Sequence, residues 1–70
     1  MILKHDATRT AAALGDRVTS FRGEFATITG WEKPRHEGST GRVNVKWDAK
    51  PEWGIQSLYP SVFDLSWYHH

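Results

Sequence analysis

Between Arg42 and Trp47 the chain alternates without a break: Val43, Val45 and Trp47 are apolar, while Arg42, Asn44 and Lys46 are polar. Successive side chains of an extended strand point to opposite faces, so this pattern predicts a half-buried antiparallel strand. Residues 25–31 form a second such segment, rich in β-branched and aromatic side chains. Period two puts Ala26 and Ile28 on one face and Phe25, Thr27, Thr29 and Trp31 on the other. Residues 17–21 predict a strand before it, with Arg22-Gly23-Glu24 as the bend. Residues 54–59 read as a further strand of weaker alternation, Pro60-Ser61-Val62-Phe63 as a short 3-10 turn, and residues 65–67 as a closing strand. The polar stretch 32–41 is a loop, because Pro34, Gly38 and Gly41 interrupt every period.

Residues 1–14 lack this alternation. Asp6 offers a helix cap and Ala11-Ala12-Ala13-Leu14 are helix formers, but the segment is too short to hold a helix by itself. The expectation is a flexible arm over residues 1–14, with at most a turn or two of helix, followed by a single domain over residues 15–70. The chain of 70 residues is small for an independent core, and with no cysteine it has neither a disulfide framework nor a thiolate metal site. Four tryptophans, three phenylalanines and two tyrosines supply more large apolar surface than such a domain hides easily, which points to self-association or a partner surface. The net charge of +1 argues against a strong pull toward nucleic acid or an anionic membrane. No stretch approaches the roughly 20 apolar residues needed to span a bilayer, and the start of the chain lacks the apolar core of a secretory signal. These features predict a cytoplasmic protein.

Ordinary catalytic chemistry finds little support. His5 falls in the arm, His36 in the loop and His69 and His70 at the end, none with an acid placed by spacing to orient it. No metal-ligand spacing is present, and Glu37-Gly38-Ser39-Thr40-Gly41 lacks the lysine and following helix of a phosphate loop. The candidate contact residues are Phe25, Trp31, Trp53 and Tyr59; aromatics on the outer face of a small domain are characteristic of interfaces. The competing structural reading gives these rings to the core or to the ends of the domain. Arg17, Arg22, Arg42 and Lys46 read as a solvated strand face; the competing reading, a basic strip beside Trp31 or Trp53 for single-stranded nucleic acid, is disfavoured by the near-zero net charge.

The segment Leu58-Tyr59-Pro60-Ser61-Val62-Phe63-Asp64-Leu65 resembles the last turn and strand of SH3 domains. In that family the proline and the aromatic after it help line a groove for polyproline-type peptides. The acidic loop and paired tyrosines that complete such a groove have no counterpart in this sequence. A second resemblance covers most of the chain after Gly15, to the plasmid-encoded, trimethoprim-insensitive type II dihydrofolate reductases. It rests on Gly15-Asp16-Arg17-Val18, on Ile28-Thr29-Gly30-Trp31 and on Leu58-Tyr59-Pro60-Ser61-Val62. The resemblance implies a five-stranded antiparallel SH3-like barrel, and a pore among four chains where NADPH and folate stack. By the same resemblance Ser57, Leu58 and Tyr59 are the pore residues. The family motif Val-Gln-Ile-Tyr aligns with Gln56-Ser57-Leu58-Tyr59, so Ser57 replaces the ligand-contacting glutamine and Gln56 falls on the opposite strand face. Ser20 stands where the family has its pore lysine.

The expected fold is thus all-β, an SH3-like five-stranded barrel with a short N-terminal arm. The leading functional expectation is a non-catalytic binding or assembly module without cofactor or metal. It would self-associate through Phe25, Trp31, Trp53 and Tyr59, as an accessory protein of the kind carried by phages and other mobile elements. The alternative is a type II dihydrofolate reductase-like oxidoreductase using NADPH, which would confer trimethoprim resistance.

Overall fold

Alternation in the sequence becomes a meander of four antiparallel strands in the computed structural model, which describes residues 1–36 and 38–68. Strands β2 (Arg17–Thr19), β3 (Phe25–Glu32), β4 (Arg42–Trp47) and β5 (Ile55–Leu58) pair in sequence order. A second, two-stranded sheet joins β1 (Ile2–His5) to β6 (Leu65–Tyr68), also antiparallel. Short 3-10 turns at Pro51–Trp53 and Pro60–Phe63 precede β5 and β6. The fold is therefore all-β, as the sequence predicts, with six strands in place of the expected five.

Both sheets contribute to one core. Val18, Ala26, Ile28, Val43 and Val45 come from the four-stranded sheet, Leu3 and Leu65 from the two-stranded one, and Phe63 from the 3-10 turn between β5 and β6. Each large aliphatic side chain removed from water stabilises the fold by about 1.5–3 kcal/mol before entropy is counted. Trp47 closes one side, its ring 5.5 Å from that of Phe63.

The expected arm over residues 1–14 is corrected. Leu3 is buried, and β1 runs along β6 with Leu3 opposite Trp67 and His5 opposite Leu65. The chain then doubles back: the His5 amide donates to the Thr10 carbonyl at 2.9 Å and the Ala12 amide to the Leu3 carbonyl at 2.8 Å. Gly15 and Asp16 continue onto β3 by hydrogen bonds of 2.8 Å with Ile28. Ala11-Ala12-Ala13 is thus not helical: Ala11 and Ala12 pair with β1, and the backbone of Ala13 bonds to Asp16.

A second correction concerns β3. Ile28 pairs with Val45 but Gly30 with Asn44, so Thr29 is an extra residue in the ladder. Such a bulge resets which side chains point inward. Trp31 consequently stands opposite the fully buried Val43 and packs on the core, on the other face from Phe25.

Candidate functional site: an arginine-tyrosine cleft

The register of β4 and β5 places Val43 opposite Leu58, and one step further sets Arg42 across from Tyr59. Val43 and Leu58 point to the core, so Arg42 and Tyr59 stand on the outer face at the end of the sheet. The Arg42 guanidinium lies 4.1 Å from the centre of the Tyr59 ring, which is 50% exposed. A cation over an aromatic face is attracted by the ring quadrupole. Glu32 pairs with Arg42 across the β3–β4 ladder, yet no salt bridge joins them.

Lys33, Arg35, His36 and residues 38–41 form the opposite wall. Its position is set from β6, where the Trp67 indole N–H donates to the Thr40 carbonyl at 2.7 Å. Gly41 follows with φ +62°, a left-handed conformation that an L side chain rarely adopts. A Cβ at this position would come within 2.5 Å of the Glu32 carbonyl oxygen and 2.9 Å of Trp67 Nε1. The Gly41 amide donates to Ser39 Oγ at 3.3 Å, which folds the loop end upon itself. Between this wall, Arg42, Tyr59 and Ser61 lies an open cleft of about 690 Å³. Lys33, Arg35 and Arg42 line it, with Glu32 as the one carboxylate among the described lining residues.

At the other end of the sheet Arg17 lies 4.2 Å from the centre of the Phe25 ring. Here a carboxylate answers the charge: Arg17 Nε donates to Asp48 Oδ2 at 2.8 Å, and Thr27 Oγ1 donates to Asp48 Oδ1 at 3.0 Å. Trp53 is exposed in the 3-10 turn at this end, and Gln56 Nε2 donates to its carbonyl at 3.0 Å.

The candidate contact residues do not converge on one surface. Phe25 and Trp53 lie toward the Asp48 end, Tyr59 is in the cleft, and Trp31 is half-buried against the core. Of the residues implied by the reductase resemblance, Ser57 and Tyr59 are exposed and Leu58 packs against the core. Ser20 is buried, where its hydroxyl accepts hydrogen bonds from the amides of Arg22 and Glu24 and so shapes the β2–β3 turn. Pro60 and Phe63, which the SH3 resemblance assigns to a peptide groove, are both buried. Sequence reasoning placed Arg42 on a solvated face and missed its pairing with Tyr59, because alternation assigns faces and not the register between strands. It also missed Trp67 as the anchor of the loop. Glu37, His69 and His70 lie outside the described residues.

Two titratable groups elsewhere are perturbed. The His5 side chain, 2.9 Å away, and the Ala13 amide hold the Asp16 carboxyl below its ordinary value. Desolvation, then the hydrogen bond to Asp6, pushes the Tyr68 hydroxyl up. Among the described residues no group of three or more His, Cys, Asp and Glu side chains is arranged to hold a metal ion, and no helix is long and apolar enough to cross a membrane. Comparisons with protein-family models, curated proteins and solved structures find no match to this chain.

Proposed function

We propose that this protein is an SH3-like small barrel acting as a non-catalytic binding module, with the Arg42–Tyr59 cleft as its contact site. Two antiparallel sheets around a shared core, the pairing of β1 with β6 and the 3-10 turn before β6 support the barrel reading. The observation that carries the functional reading is Tyr59. Its ring is half exposed and fixed under a guanidinium, beside a loop whose position is set by the Trp67 indole. An amphipathic ring with only two side-chain torsions, at the edge of a polar cleft, offers contact area at little conformational cost. Exposed Phe25, Trp53 and Ile55 support self-association as a separate property of the molecule.

Selection of a random peptide library on the wild-type protein and on Tyr59→Ala tests the module. Peptides that require Tyr59 are expected; a library in which every binder is indifferent to Tyr59 overturns the reading. A second reading is the reductase, favoured by the exposure of Ser57 on β5, an edge strand of its sheet, and of Tyr59 just beyond its end. A four-chain pore would bring NADPH and folate together by positioning and stacking. Light scattering distinguishes it: a species near the chain mass of 8.0 kDa removes the pore, whereas a tetramer directs attention to NADPH binding.

A further inference from the structure

We propose that the cleft recognises peptide carboxylates, with the Arg42 guanidinium as the binding group and the Tyr59 ring as its platform. The inference rests on the binding-module reading and specifies the chemistry of the partner. Arg42 is the one cation of the described cleft lining that lies over an aromatic ring, and no ion pair among the described residues occupies it. A guanidinium carries five N–H donors in a rigid fork, and stacking on a ring occupies its face while leaving those donors at its edge. Among the described residues no carboxylate lies within 4.0 Å of it, although Glu32 is its neighbour across the ladder. Carboxylates are the natural match, because two parallel N–H···O bonds fit the fork.

The surroundings agree. Lys33 and Arg35 add positive potential, and Ser39, Thr40 and Ser61 add polar groups along the same cleft. Glu32 at the rim disfavours an anion, so its removal should tighten binding. A single-stranded nucleic acid needs a cationic track with successive stacking rings. Tyr59 is the sole Phe, Tyr or Trp ring among the described lining residues, and the whole chain carries a net charge of only +1. A short peptide with one or a few carboxylates suits the site better. The carboxylate has two sources, acidic side chains or the end of a chain, and the Arg42 fork accepts either.

The test is an NMR titration of the intact protein with octaglutamate amidated at its C-terminus, with a Gly-Ser octapeptide that has no charged side chain but a free C-terminus, and with octathymidylate. At least one of the two peptides is expected to shift the resonances of Arg42, Tyr59 and Gly41, and which one does so names the source. Arg42→Gln should weaken that binding about tenfold or more, the scale of a lost charge-assisted bidentate contact. Glu32→Gln should tighten it severalfold, a gain that a merely unfolded variant cannot produce. Equal affinity of wild type and Arg42→Gln overturns the proposal, as does tighter binding of octathymidylate than of either peptide. Library peptides that need Tyr59 but carry no usable carboxylate also overturn it, while leaving the binding module intact.

Discussion

Arg17 and Arg42 each lie over an aromatic ring at nearly the same distance, 4.2 Å from Phe25 and 4.1 Å from Tyr59, at opposite ends of one sheet. Asp48 takes the charge of Arg17 at 2.8 Å and is itself held by Thr27, so that arginine has its anion within the protein. Arg42 has the ring alone among the described residues. An arginine on a ring is therefore not by itself the mark of a site. What distinguishes the two ends is whether the protein supplies the anion.

The largest effect expected from breaking this contrast comes at Gly41. Gly41→Ala forces a left-handed residue to carry a Cβ against the Glu32 carbonyl and the Trp67 indole. The loss should be roughly 2–3 kcal/mol in a urea melt, with amide shifts concentrated around Thr40 and Arg42 and few around Asp48. An unchanged midpoint would show that the loop is not pinned as described. A smaller change makes the closed end resemble the open one. Asp48→Asn removes an exposed ion pair worth about 0.2–1 kcal/mol and leaves Arg17 on Phe25 without its anion. Octaglutamate should then shift Arg17 and Phe25, which it leaves alone in the wild type. Silence there would mean that the shape of the cleft, and not the missing carboxylate, sets its preference.

The smallest effect lies away from both arginines. Asp16 has a folded-state pKa depressed by His5 and the Ala13 amide, so its stabilisation is present above the ordinary value of 3.8 and is lost as pH falls through the folded value. Asp16→Asn should flatten the acid limb of the stability profile. Tyr68 has a raised pKa, so its contribution is present below 10.0 and is lost as pH rises through the folded value; Tyr68→Phe should flatten the alkaline limb. Neither change should alter the peptide response of Arg42, and a coupled change would tie the cleft to the β1 turn.

Local alternation made much of the fold legible. The segment 42–47 was expected as a strand and is one, and the 3-10 turn at Pro60–Phe63 lies where the proline placed it. Strand β1 was not legible, because Ile2-Leu3-Lys4-His5 is too short to show a period and its partner lies at the far end of the chain. Trp31 was assigned to the wrong face because a bulge leaves no fixed mark in sequence, and strict period two then carries the error forward. Tyr59 was expected as a contact residue, and it is exposed in the cleft. Its arginine was not, since the charge pattern of a strand says nothing about which guanidinium meets a carboxylate. The anchor at Trp67 depends on a contact between residues far apart in sequence, which alternation does not encode.

The β1–β6 ladder also has a kinetic meaning. The β2–β5 meander closes over short connections, whereas joining β1 to β6 brings together segments separated by nearly the whole described chain. Loop-closure entropy and high contact order place that step late in folding. Trp67 sits on β6, and its indole holds Thr40, so the wall of the cleft is fixed only once that closure has occurred. Completion of the cleft wall is therefore expected to follow that closure, and fraying of β6 at Trp67 to release Thr40 without touching Arg42 or Tyr59.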